Sequence, residues 1–246
     1  MHGCNGRMGR MITGIVEEDP DIEIICGVDI NTGIENSYPV TDSIEKADKT
    51  ADAVVDFGNA SAVDKVIDWC VENNVPLVEC TTGLSDETLT RLSDASKTTA
   101  MLRSANMSLG INIIQKILRE NADKLTRAGF DVEIVEKHHK TKLDAPSGTA
   151  LALADSVNEG LSEKKEYVFD RSGRRMVRPD TEIGISAVRG GTIVGDHDVI
   201  FAGKDEVITF SHTAYSRAVF AKGAVEAAKF VAGKDAGMYS MADVLG

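Results

Sequence analysis

Positive charge is scarce in this chain. Its 27 lysines and arginines face 39 aspartates and glutamates, a formal charge of −12 over 246 residues. Such a field repels polyphosphate and anionic lipid at long range, which excludes nucleic acid and membrane surfaces as expected partners. An anionic small molecule would need a local cationic pocket, and the stretch around residue 140 supplies one. Cysteine is equally sparse: Cys4, Cys26, Cys70 and Cys80 all lie in the first third and never approach CxxC spacing. Neither a disulfide framework nor a zinc site is indicated. No apolar run reaches the ~18 residues of a membrane span. The N-terminus also lacks the charged and apolar regions of a secretion signal, so a cytoplasmic protein is expected.

What is present is a change of rhythm. From residue 7 to about 125, strand-like stretches at 22–28, 53–57, 75–79 and 98–102 alternate with amphipathic helical stretches at 8–18, 61–72 and 85–96. This is the pattern of a parallel sheet built from βαβ units. After Ser108 a long helix is followed by a strand at 132–136, a helix from about 149, and strands near 182–188, 198–201 and 207–210. That grouping is α+β and indicates a second domain. The final helical stretch, 216–231, carries a small-residue face with Ala218, Ala221, Ala224, Ala227 and Ala228, and is expected to return to the first domain. Residues 160–180, rich in charge, read as a mobile loop.

The first domain opens on Gly3-Cys4-Asn5-Gly6-Arg7-Met8-Gly9. Glycines at this spacing allow a tight strand-to-helix turn and close approach of a pyrophosphate to a helix N-terminus. Asn5, where a glycine is more familiar, is expected to tolerate positive φ. A plain glycine turn would read the same. The weight shifts because the stretch at 24–28 ends on Asp29, about 20 residues on, where an acid can accept from ribose hydroxyls. One part is missing: such a fold needs a strand of about five residues before its first glycine, and only Met1-His2 precede Gly3. The expectation is that the protein begins upstream of Met1, or that a chain without its central strand is destabilised.

The most informative stretch runs from Glu133 to Ala150. An alternating strand leads into His138, His139, Lys140 and Lys142, and then into Pro146-Ser147-Gly148-Thr149. Ser147 is a natural N-cap, and the N–H groups of Gly148 and Thr149 would form an anion site with lysine charge nearby. A solvated basic loop before a capped helix reads the same way. Two titratable imidazoles beside an anion site suit a dicarboxylate that is protonated as it is reduced.

The pattern E-x-x-E-x-H-H-x-x-K-x-D-x-P-S-G-T-A, complete from Glu133 to Ala150, resembles the signature of the dihydrodipicolinate reductases (4-hydroxy-tetrahydrodipicolinate reductases) of the diaminopimelate route to lysine. The glycine turn, Val54-Val55-Asp56-Phe57, Thr81-Thr82-Gly83, Ser104-Ala105-Asn106 and the Ser216–Ala224 stretch also resemble family positions. The resemblance implies an α/β fold: a Rossmann-like dinucleotide-binding domain (1–107 plus 217–246) and an α+β substrate and tetramerisation domain (108–216), assembled as a homotetramer. It implies that His138 and Lys142 are catalytic, and that His139, Ser147, Gly148 and Thr149 bind a small dicarboxylate. Gly3, Cys4, Asn5, Gly6, Arg7, Met8, Asp29, Cys80, Thr81, Thr82, Ser104, Ala105, Asn106 and Met107 would line NADH or NADPH, without any metal. The chain departs from the family at Cys80 (usually glycine), at Met107 (often aromatic) and at Gly58-Asn59-Ala60 (typically Thr-x-Pro).

Hydride addition builds negative charge on the substrate ring, so a proton must be delivered; His138 is suited to this near pH 7, with Glu136 on the same strand face favouring its cationic form. Cofactor choice is legible from the residues themselves. Asp29 is followed by Ile30 rather than arginine, and no Lys or Arg occurs between Arg10 and Lys46. A 2′-phosphate would face Asp29 uncompensated, so NADH is the expected preference. Two rival readings are an aldehyde dehydrogenase using Cys80 as nucleophile and a cofactor-sensing protein without catalysis.

Overall fold

The computed structural model describes residues 1–246. Its elements, in chain order, are α1 (Arg7–Glu17), β1 (Gly27–Val28), β2 (Val40–Thr41), β3 (Val54–Asp56), α2 (Val63–Asn73), β4 (Leu77–Glu79), α3 (Asp86–Ala95), β5 (Ala100–Arg103) and α4 (Leu109–Arg127). There follow β6 (Asp131–His138), α5 (Gly148–Gly160), β7 (Glu166–Val168), β8 (Glu182–Arg189), β9 (Gly195–Ala202), β10 (Val207–Ala214), α6 (Ala218–Val231), β11 (Gly237–Tyr239) and α7 (Met241–Leu245). They form two compact units: Met1–Leu109 with Ala218–Gly246, and Gly110–Arg217.

In the first unit every strand pairing is parallel, in the runs β2-β1 and β3-β4-β5-β11. His2 joins them, bridging Val28 on one side and Asp56 on the other. The resulting order, with His2 as its innermost position, is that of a Rossmann-type doubly wound sheet. Both faces are covered, so successive strand residues enter opposite cores. Leu77 and Met101 pack with Val66, Ile67 and Trp69 of α2, while Val78 and Leu102 pack with Ile12 of α1 and Ala221 and Ala224 of α6. The small residues of α6 permit a very close approach: a Cβ on Gly223 would stand 1.7 Å from the Met107 carbonyl oxygen.

Met1 and His2 occupy the innermost strand position. They make its ladder bonds, Val28 N–H to Met1 O (2.9 Å), His2 N–H to Val55 O (2.9 Å) and Phe57 N–H to His2 O (3.1 Å). Residues 22–26, expected as strand, therefore lie outside any strand and only Gly27–Val28 pair. Their neighbour in the sheet reaches no farther than Met1, and a cavity of about 820 Å³ lies there, lined by Met1, Ile22, Ile24, Val54, Trp69 and Val225 among others.

The second unit is a mixed five-stranded sheet, β10-β9-β6-β8-β7, in which β6, β8 and β7 pair in parallel while β9 pairs antiparallel with both β6 and β10. One face is covered by α4 and α5, with Ile111, Leu118, Leu153 and Val157 against Val132, Ile134, Ile183, Val199 and Phe201. The segment 160–180, expected to be a mobile loop, holds β7 and is tied down by ion pairs. Arg171 and Arg178 both engage Glu133, and Arg174 engages Glu182. The charge that suggested solvation is spent on the carboxylates of β6 and β8. No helix is long and apolar enough to cross a membrane.

Candidate functional site

In the first unit the residues expected to line a dinucleotide share the carboxyl edge of the parallel sheet, where ligands bind in this architecture. Gly3 follows the innermost position, Asp29 follows β1, Cys80–Thr82 follow β4, and Ser104–Met107 follow β5. Gly3 takes the positive φ of the turn (+75°). A Cβ on Gly9 would strike the Gly3 and Cys4 carbonyl oxygens at 2.3 and 2.4 Å, so α1 packs directly on the turn. Gly6 is the N-cap of α1 and contributes no side chain there; no acid occupies the first turn, and Arg7 is exposed. This cradle fits an anionic pyrophosphate.

Asn5 does not adopt positive φ. Its side chain instead ties the turn together, donating to Asn31 O (2.6 Å) and accepting from Asn36 Nδ2 (3.0 Å). Asp29 accepts from the backbone N–H groups of Asn5 and Asn31, both at 2.9 Å, so it positions the turn and retains lone pairs for a hydroxyl donor. Cys4 is fully buried, its sulfur close to Gly27, and can offer only main chain. Met107 is buried in the core with Leu102 and Ala221, and Ser104 accepts from Met241 N–H. Asp56 and Glu79 form a buried carboxyl pair; burial, and then the Asp56 charge, hold the Glu79 carboxyl well above its ordinary value. Burial and these two carboxyls also push the Cys80 thiol up, which removes the thiolate that a nucleophile requires.

In the second unit, strand alternation builds the site. Val132, Ile134, Glu136 and His138 occupy the helix-covered face of β6, so the pattern that buries two aliphatics carries a carboxylate and an imidazole to the strand's end. On β9 the same alternation places Gly195 and His197 on that face, with His197 directly opposite Glu136. His138 Nδ1 meets Glu136 Oε2 at 2.6 Å. Its Nε2 lies over Gly195, where a Cβ would stand 3.0 Å away. The carboxylate thus fixes the ring through Nδ1 and leaves Nε2 for chemistry. Burial, and then the neighbouring His138, lower His197 to about 4, and its Nε2 meets Ser147 Oγ at 3.1 Å.

Ser147 caps α5, its hydroxyl accepting from Ala150 N–H (3.1 Å), and its own N–H donates to Glu136 Oε1 (2.9 Å). Lys142 pairs with Asp144 at 2.8 Å, and the Gly148 N–H also serves the Asp144 carboxylate, which these donors hold below its ordinary value. The helix N-terminus and the lysine therefore already converge on one carboxylate. His139 Nδ1 meets Thr141 Oγ1 at 2.8 Å. Arg189, Gly195 and His197 were not anticipated from sequence. They lie some 50 to 60 residues from His138, and only the β8-β6-β9 register brings them together. The available signal was His197 on the buried face of an alternating strand.

The chain matches the family described as dihydrodipicolinate reductase, N-terminus, over residues 1–107 and dihydrodipicolinate reductase, C-terminus, over residues 110–245. It is 49% identical over 245 residues to a 4-hydroxy-tetrahydrodipicolinate reductase of Caldanaerobacter subterraneus subsp. tengcongensis, covering 100% of this chain and 96% of that protein. It is 49% identical over 239 residues to the protein of the same name from Clostridium tetani, covering 97% and 93%. The dipicolinate-bound dihydrodipicolinate reductase of Paenisporosarcina sp. TG-14 superposes with a TM-score of 0.77 at 26% identity, over 97% of this chain and 95% of that one. The chain belongs to the dihydrodipicolinate reductase family.

Proposed function

We propose that this chain reduces 4-hydroxy-tetrahydrodipicolinate to tetrahydrodipicolinate with NADH, and less well with NADPH, as a cytoplasmic homotetramer in the diaminopimelate route to lysine. The observation that carries the reading is His138, held through Nδ1 by Glu136 with Nε2 turned toward Gly195, on the same unit as the Ser147-capped N-terminus of α5. The first unit would hold the dinucleotide, which supplies a hydride when bound. The net change replaces the substrate's hydroxyl by hydrogen, so one hydride and one proton enter and water leaves.

The residues of the second unit account for the rest. One substrate carboxylate takes the place that the Asp144 carboxylate holds, accepting from the N–H groups of Gly148 and Thr149 with Lys142 beside it; His139 and Ser147 assist. Lys142 offsets the negative charge that develops on the ring, and His138 Nε2 delivers the proton. Asp29, with no cation on the residues that follow it, supports the preference for NADH. The sheet face opposite α4 and α5, which includes Val135, Ile200 and the exposed Val207, is the surface proposed for tetramer contacts. The test is a coupled assay: oxidation of NADH on adding the condensation product of aspartate semialdehyde and pyruvate. Absence of turnover with both nicotinamides would overturn the assignment.

A further inference from the structure

Glu136 is wholly buried, and both of its oxygens serve two masters. Oε2 accepts from His138 Nδ1 (2.6 Å) and from Arg189 Nη1 (2.7 Å); Oε1 accepts from Ser147 N–H (2.9 Å) and from Arg189 Nη2 (2.7 Å). Nη2 of Arg189 also donates to the Asp144 carbonyl oxygen (2.6 Å), within the loop that carries Lys142. One guanidinium thus touches the carboxylate that orients the imidazole and the loop that leads into the α5 N-terminus. Arg189 comes from the last position of β8, paired in register with His138.

We propose that Arg189 is the positioning residue of this site, acting through Glu136 to set the tautomer and direction of His138 and to fix the 144–148 loop. The inference rests on the reading of His138 as proton donor. A buried carboxylate without a cation takes up a proton. A protonated Glu136 would offer its O–H to Nδ1 of the ring, moving the ring proton to Nε2 and reversing the tautomer. The fork geometry of Arg189 prevents this by serving both oxygens at once. Around Glu136 the other groups that carry or can carry charge are His138 on its own strand, His197 on β9, and Lys142 and Asp144 on the loop. Burial pushes the Glu136 carboxyl up, and the bonds from Arg189, His138 and Ser147 outweigh it, so the carboxyl stays below its ordinary value.

The experiment compares Arg189→Met, Arg189→Lys, His138→Gln and the double variant His138→Gln/Arg189→Met in the coupled assay across pH. For Arg189→Met, kcat falls about 10²-fold, the usual worth of a misdirected general acid. KM for the nicotinamide is unchanged, and the acid limb of kcat/KM moves up by about one pH unit as Glu136 protonates more readily. Arg189→Lys retains the charge but not the fork, so it restores the acid limb while kcat stays about tenfold low. In the His138→Gln background, Arg189→Met has little further effect on kcat, because there both act on one proton transfer, and what it does through the 144–148 loop is read in KM for the substrate. Wild-type kcat and acid limb in Arg189→Met, or full additivity in the double variant, overturn the proposal. If Arg189→Met does not fold, Arg189→Lys decides, and wild-type kcat in that variant overturns it. Near-normal turnover of His138→Gln, by contrast, sinks the reading of His138 on which this rests.

Discussion

Extending the chain by about four apolar residues in front of Met1 should raise its melting temperature by roughly 10 °C, taking ~3 °C per kcal/mol for a chain of this size. The slot is visible in the structure. Met1 N donates to Cys26 O at 2.8 Å as a ladder amide would, yet it is a chain amino group whose pKa burial lowers. Beyond it lies the cavity of about 820 Å³ between residues 22–26 and 51–55. In a sheet covered on both faces each added valine or isoleucine contributes ~2 kcal/mol of burial, and ordering its backbone and side chain costs about the same. The surplus comes from about four new ladder hydrogen bonds at ~1 kcal/mol each, and from replacing a desolvated ammonium by an amide. The net is about 4 kcal/mol. Differential scanning calorimetry of the parent chain, the Val/Ile extension and a Gly/Ser extension of equal length measures it. Equal melting of the parent and the apolar extension would refute the reasoning, as would an equal rise with Gly/Ser, which cannot fill an apolar slot.

Four further outcomes are expected. His138→Gln should lower kcat by ~10²-fold with little change in KM for the cofactor, read in the coupled assay. Gly195→Ala should leave the fold intact by circular dichroism but lower kcat by about tenfold or more, because the new Cβ would stand 3.0 Å from His138 Nε2 and displace it. Glu79, whose folded pKa is raised above 4.5, binds its proton more tightly folded than unfolded; its contribution is present at pH 4.5 and below and is lost as pH climbs toward the raised value. Glu79→Gln should therefore stabilise the protein by about 2 kcal/mol at pH 8 and hardly at pH 4.5 in urea melts, and equal effects at both pH values would contradict this. Finally, kcat/KM for NADH should exceed that for NADPH by about 3- to 30-fold at low salt, the scale of an uncompensated like-charge contact. A clear NADPH preference would instead mean that Arg7 reaches the 2′-phosphate, and Arg7→Ala should then raise KM for NADPH alone.

Local chemistry decides the parts of this protein that were legible in its sequence. The helix N-cap at Ser147, the glycine turn packed against α1 and the alternation that carries Glu136 and His138 to one face of β6 depend on residues within a few positions of one another. Hydrogen-bond reach and strand period need no partner to be read. Tertiary structure decided whatever depends on who sits across the sheet. Residues 22–26 have strand composition but no strand, since a ladder requires a paired neighbour along its length. The charged segment 160–180 is held because the carboxylates of Glu133 and Glu182 happen to face its arginines. Arg189 and His197 became part of the site only through the registers of β8 and β9 against β6. Register is a global property: it is set by which faces the helices bury, and no local pattern in either strand specifies it.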